Sequence, residues 1–265
     1  MPAAERRTTL KARSRGAVST GVTDGHAVTP LGLPMLTIRK GTDRGATTYG
    51  GWLDSRHTFS FGDYRDPKHH QFRALRVIND DRIAAGGGFP THPHRDMEIL
   101  TCVLSGAIEH ADSMGNGEVI RAGEWQAMTA GTGIAHSEFN PSDQEPVHLL
   151  QIWLLPDRRG HTPGYQQKFF ADADRRGTWA AVASPDGADG SLVIHQDARV
   201  FQTKLAPGDA VRHALAPGRA AFLHIATGTA TVNGTPLVAG DAVAVEGEPE
   251  VAVSGDGDVL LFDLA

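Results

Sequence analysis

Apolar residues in this chain come in short bursts that alternate with polar ones and stop at Gly, Pro, Asn or Asp. That pattern fits β-strands and little else. Examples are residues 75–78, 98–104, 119–121, 125–128 and 148–154, and then 191–194, 200–205, 221–225, 229–232, 242–245 and 259–264. Side chains two apart on an extended backbone share a face, so each burst can bury one side and turn the other elsewhere. The 31 glycines and 15 prolines supply the turns such a chain needs; together they are about 17% of the residues against an average near 12%. Only residues 66–72 and 165–175 read as short helices or long ordered loops. The expected class is all-β.

Strand alternation fades between Pro156 and Asp189, where Pro156, Gly160, Pro163, Gly164, Gly177, Pro185 and Gly187 cluster. This divides the chain into an N-terminal lobe at 35–156, a connecting segment at 157–190 and a C-terminal lobe at 191–265. The two lobes share a local grammar, since Gly123-Glu124-Trp125 and Gly240-Asp241-Ala242 each read as a turn leading into a strand. Two related β-barrels or sandwiches are expected. Residues 1–34 hold few large apolar side chains, and Arg6, Arg7, Lys11, Arg13 and Arg15 outnumber Glu5 and Asp24 there, so a mobile basic tail is expected. The net charge of −6 is therefore concentrated in the body. An acidic body argues against direct nucleic-acid binding, which needs clustered Lys and Arg. No apolar run of about 18 residues is available to span a membrane. Arg6-Arg7 is followed by a polar stretch rather than the apolar core of an export signal. A single cysteine, Cys102, rules out an intramolecular disulfide and reads as a small buried hydrophobe. The chain is expected to be cytoplasmic and monomeric.

Chemistry concentrates in two triplets, His92-Pro93-His94 and His136-Ser137-Glu138. On strands each triplet puts two donors on one face, and Pro93 pushes His92 toward extended geometry. Three imidazoles and a carboxylate can thus converge from two strands, a donor set that suits Fe(II), Mn, Ni, Cu or Zn, with no thiolate nearby in sequence. Chance alone supplies roughly half of one such triplet of each kind in a chain of this composition, so neither is decisive by itself. The framework around them adds weight. Gly86 precedes His92 by five intervening residues, Glu98 and Gly106 follow His94, and Gly123 and Gly131 precede His136.

That framework resembles the two motifs of the cupin superfamily. The strings Gly88-Phe89-Pro90-Thr91-His92-Pro93-His94-Arg95-Asp96-Met97-Glu98 and His136-Ser137-Glu138-Phe139-Asn140 resemble the pirin family, nearest its bacterial quercetinase-like members. The likeness runs from about Met35 to Ala265 and includes Phe59-Ser60-Phe61-Gly62 and Leu260-Leu261-Phe262-Asp263. It implies a bicupin, two β-barrels or jelly rolls packed face to face. It also implies one divalent metal in the N-terminal barrel, held by His92, His94, His136 and Glu138. Iron(II) comes first, with Mn, Ni, Cu, Co and Zn as alternatives. Two departures from the general cupin pattern stand out: seven residues separate Glu98 from Gly106 where six are usual, and Thr129 replaces a proline. Glu98 is expected to stand behind the ligands rather than among them. Arg95 and Asp96 are expected to pair and steady the ligand loop.

His195, His213 and His224 in the C-terminal half never occur two apart, so that barrel is expected to hold no metal. His57, His69 and His70 are read as loop residues, with lining of the site mouth as the alternative. The activity the resemblance implies is quercetin 2,3-dioxygenase-type cleavage of a flavonol with O2, with Glu138 also taking the substrate's hydroxyl proton. Phe59, Phe61, Phe89, Met128 and Trp153 are candidates for the wall around a flat aromatic substrate, with core packing as the competing role for each. The alternatives are an iron-dependent regulatory protein, whose oxidation state a protein partner reads, and a metal-using isomerase or sugar-modifying cupin that acts without O2.

Overall fold

A computed structural model describes residues 35–265; the basic tail expected over residues 1–34 lies outside the described residues. The strands are β1 (Met35–Arg39), β2 (Gly45–Tyr49), β3 (Leu53–His57), β4 (Leu75–Ile83), β5 (Gly88–His94), β6 (Glu98–Ser105), β7 (Ala107–Asp112), β8 (Gly117–Arg121), β9 (Glu124–Thr129), β10 (Ile134–Phe139), β11 (Val147–Leu154) and β12 (Gly164–Phe169). After the single turn α1 (Asp172–Arg175) come β13 (Ala180–Ser184), β14 (Leu192–Val193), β15 (Ala198–Ala214), β16 (Ala220–Val232), β17 (Thr235–Val238), β18 (Ala242–Glu246) and β19 (Glu250–Leu264).

In the N-terminal lobe a seven-stranded sheet, ordered β12-β9-β6-β11-β4-β3-β2, faces a four-stranded sheet ordered β5-β10-β7-β8. The C-terminal lobe is one eight-stranded sheet, β1-β18-β16-β19-β15-β13-β14 with β17 on β16, whose long strands β15 and β19 pair along most of their length, with one register shift between Leu205 and Asp209. This is the all-β bicupin. Two features depart from the sequence reading. Strand β1, counted with the N-terminal lobe, pairs with β18 of the other lobe. The turn-rich segment 157–190 is not a bare connection, because β12 extends the first sheet through β9 while β13 joins β15 of the second. Short strands among glycines and prolines carry a weak alternation signal, which is why it faded there.

Period-two alternation explains how the lobes meet. On β6, Ile99, Thr101 and Val103 turn into the N-terminal barrel, while Leu100 and Cys102 join a core shared with Phe222, Leu260 and Phe262 of the other lobe. The same switch on β16 and β19 sends Leu223 and Leu261 into the C-terminal barrel. Strands with two buried faces read as near-continuous apolar runs, as 99–104 does. Phe222 anchors the seam, with ring centroids 5.4 Å from Phe59 and 5.6 Å from Phe72; such pairs contribute about 0.5–1.5 kcal/mol each beyond burial. A buried polar chain crosses the same seam: Trp125 Nε1 and Arg175 Nη1 donate to Gln202 Oε1 at 2.8 and 2.6 Å, and Gln202 Nε2 donates to Asp258 at 2.8 Å. Phe59 and Met128 are core residues, so neither forms the substrate wall considered above. No helix among the described residues is long and apolar enough to cross a membrane.

Candidate metal centre and its cavity

The two triplets lie side by side. Antiparallel pairing of β5 with β10 sets His136 opposite His92 and Ile134 opposite His94, with a bulge between His136 and Glu138. A side chain at Gly88 would meet the Glu138 carbonyl at 2.3 Å, so glycine permits the close approach of the strands beside that bulge. The ring centroids of His92, His94 and His136 are 4.5–4.9 Å apart. Their donor atoms lie within 4.8 Å of one another, and so do those of His136, Glu138 and a residue the sequence reading passed over, His110. The signal for His110 was present: His110-Ala111-Asp112 is another pair of polar groups two apart on a strand.

The electrostatics favour uncharged rings. Burial, with help from neighbouring imidazoles, pushes His94 down to about 4 and His136 down to about 3. His92 Nδ1 donates to the Pro90 carbonyl at 2.8 Å, which leaves its Nε2 as a lone-pair donor. His136 Nε2 is buried without any hydrogen-bond partner. Glu138 is buried, its Oε1 accepts from Gln151 Nε2 at 2.7 Å, and burial raises its carboxyl to about 7. Neutral imidazoles with an orphaned buried nitrogen, beside one carboxyl, fit a divalent first-row metal.

These residues close one end of a cavity of about 570 Å³ between the two sheets of the N-terminal lobe, within the size range of small-molecule sites. Tyr49, Trp52, Phe61, Phe89 and Trp153 supply an aromatic wall; Trp52 packs edge-on against Phe89 at 5.1 Å, and Phe61 against Trp153 at 5.3 Å. Ser55, His57, Asn79, Asp81 and Gln151 supply polar lining. His57 is therefore no loop residue: it ends β3, buried, with Nδ1 2.8 Å from Asn79 Oδ1 and Nε2 2.8 Å from Thr47 Oγ1. Asp81 is buried, with Oδ1 unpartnered, and burial raises its carboxyl to about 7.

Glu98 stands elsewhere. It faces the lobe interface, where Thr129 Oγ1 donates to it at 2.9 Å and His195 Nδ1 lies at 3.5 Å. With six residues intervening before Gly106 the motif position falls on Ile99, and Ile99 is the side chain that lines the cavity. The extra residue before Gly106 was the clue, because one step along a strand reverses the face. Nor do Arg95 and Asp96 form an ion pair; Asp96 Oδ1 accepts from Gly160 N at 2.8 Å and so ties the ligand loop to the segment after β11.

Comparison with known proteins agrees with this architecture. The pirin family matches residues 40–154, and the quercetinase C-terminal cupin domain matches residues 181–264. The chain is 48% identical over 232 residues to a protein of Escherichia coli (strain K12) named quercetin 2,3-dioxygenase, covering 87% of this chain and 99% of that one. It is 47% identical over 230 residues to a putative quercetin 2,3-dioxygenase of Pseudomonas aeruginosa, covering 86% and 99%. Among solved structures it matches the bacterial pirin YhhW of Escherichia coli in complex with nickel(II), with a TM-score of 0.82 and 48% identity over 87% of this chain and 99% of that one. The chain belongs to the pirin family of cupin proteins.

Proposed function

We propose that this chain is an oxygenase of the quercetin 2,3-dioxygenase type, holding one divalent metal through His92, His94, His136 and Glu138 and cleaving a flavonol-class substrate with O2. The observation that carries the reading is the convergence of three lone-pair imidazoles and a carboxyl at one end of an aromatic-walled cavity. We assign iron(II). Nickel or copper would bind the same donors more tightly, so metal content also follows supply. The bound metal supplies reactivity toward O2 that no side chain offers.

The chain's own groups do the rest. Trp52, Phe89 and Trp153 grip a flat ring system by apolar contact and exclude water from it. Glu138, its rotation fixed by Gln151, accepts the proton of the substrate's enolic hydroxyl, a transfer of the kind that contributes about 10²- to 10⁴-fold. The polar lining around Ser55 and Asp81 receives the substrate's phenolic hydroxyls.

The test is metal occupancy and single-turnover flavonol cleavage, with O2 consumption, at matched iron loading. Glu138→Gln should bind metal moderately less well and lose about 10²- to 10⁴-fold in turnover. His136→Ala should lose metal and activity together. Turnover by iron-loaded Glu138→Gln at the parent rate would remove the proton-acceptor role. Flat flavonol absorbance in the metal-loaded parent would overturn the enzymatic reading altogether.

A further inference from the structure

We propose that His110 and Asp112 are positioning residues for the metal centre: a buried chain from Asp112 through His110 to His136 fixes the tautomer of His136 and aims its Nε2 lone pair at the ion. The inference rests on the ligand reading above and extends it beyond the residues that touch the metal.

The chain is built across two strands. Pairing of β10 with β7 sets His136 opposite Asp112 and Glu138 opposite His110. His136 Nδ1 lies 3.3 Å from His110 Nδ1, and His110 Nε2 lies 3.2 Å from Asp112 Oδ2. The side chains of His110 and Asp112 are both 0% exposed. Asp112 is held in place by its own turn: Oδ1 accepts from the backbone N–H of Met114 at 2.8 Å and of Asn116 at 3.1 Å, and Oδ2 accepts from Asn116 Nδ2 at 2.8 Å. Tyr165 stacks on the His110 ring at 4.8 Å and fixes its plane.

Only one arrangement of protons satisfies every member. A carboxylate can only accept, so His110 Nε2 carries the hydrogen. Neutral His110 then presents the Nδ1 lone pair, and His136 Nδ1 must donate to it. The opposite tautomer would set two lone pairs against each other and bury an unmade N–H. With Nδ1 protonated, neutral His136 has its remaining lone pair on Nε2, the buried atom that lacks a partner. His92 is oriented by a single backbone carbonyl, whereas His136 has a carboxylate behind it, relayed through a second ring. A partner of this kind raises the basicity of a ligating imidazole, and its loss typically costs 10- to 100-fold in metal affinity.

The experiment titrates metal-free protein with nickel(II) against a chelator, for the parent, His110→Leu, His110→Gln, Asp112→Asn and His136→Ala, with circular dichroism as the fold control. Long-range ¹⁵N NMR of the metal-free parent reads the His136 tautomer directly. His110→Leu should bind nickel about 10- to 100-fold more weakly. His110→Gln, whose Oε1 can still accept from His136 Nδ1, should recover most of the loss. Asp112→Asn keeps the shape and should weaken binding in the same direction, which covers the case in which His110→Leu does not fold. The NMR spectrum should show the proton on Nδ1 of His136. A proton on Nε2, or parent-like affinity in both His110→Leu and Asp112→Asn, overturns the proposal. So does His110→Gln falling as far as His136→Ala, because His110 would then be a ligand itself. If His136→Ala keeps parent affinity, the ligand reading fails and this inference goes with it. If His136→Ala loses nickel while His110→Leu does not, the ligand reading stands and only the positioning role is lost.

Discussion

His224 offers a sharp test of how the two lobes are held together. It sits on β16, fully buried, on the face that meets the N-terminal lobe near Arg44, Asp80, His148 and Asp241. Neither ring nitrogen has a hydrogen-bond partner. Burial first, then the nearby Arg44 guanidinium, pushes the imidazole from 6.5 down to about 3. Above pH 6.5 both folded and unfolded states hold a neutral ring, so the group adds no pH dependence there. As pH falls below 6.5 the unfolded chain takes up a proton that the folded seam refuses, and stability is lost until pH passes the folded value. Integrated from about pH 7.5 to about pH 5, this one ring removes about 2 kcal/mol. His224→Leu, similar in volume and free of the titration, should therefore lose about 2 kcal/mol less than the parent over that window. A further pH-independent gain of about 1–3 kcal/mol should come from removing unmade hydrogen bonds. Urea denaturation of both proteins in chelator at the two pH values measures the difference, and the other histidines cancel in the comparison. Equal losses in parent and variant would refute the argument and mean that the ring is hydrated or paired in solution.

Glu98→Gln should leave metal content unchanged, since Glu98 faces Thr129 and His195 rather than the cavity; metal loss on elemental analysis would return it to the site. Fully loaded protein should contain one metal per chain, and two equivalents by the same analysis would mean that donors in the C-terminal lobe also converge. Asp81, raised to about 7 against an ordinary 3.8, favours folding below pH 3.8, and that contribution is lost as pH rises through about 7. Asp81→Asn should therefore gain more stability over the parent near pH 8 than near pH 5, and denaturation midpoints at the two values check this.

The bicupin was legible because strand alternation is a local property and the two donor triplets are local as well. His92, His94, His136 and Glu138 needed only the period-two rule and a family resemblance to be placed together. What escaped was set by tertiary neighbours. His57 reads as a loop residue or as lining for the site mouth, and only the pairing of β3 with β4 settles that it enters the cavity. Glu98 is set apart by the seven residues before Gly106, since a slip of one residue turns a strand side chain to the other sheet face, but the Thr129 and His195 it meets there are tertiary neighbours. His110 escaped because only the pairing of β7 with β10 brings it beside His136 and Glu138. The pairing of β1 with β18 leaves no local trace, since nothing in Leu36-Thr37-Ile38 specifies a partner some 200 residues away.

That pairing also orders events during synthesis. Strand β1, with Leu36 packed against the C-terminal core, leaves the ribosome some 200 residues ahead of its partner, and Ala242–Glu246 must be made before it can pair. At about 5–20 residues per second the wait is roughly 10 to 40 s. During that time β1 is an unpaired strand, a template for wrong partners of the kind chaperones shield. A fragment that carries the C-terminal lobe alone would keep the opposite defect, with β18 left as an open edge where β1 belongs.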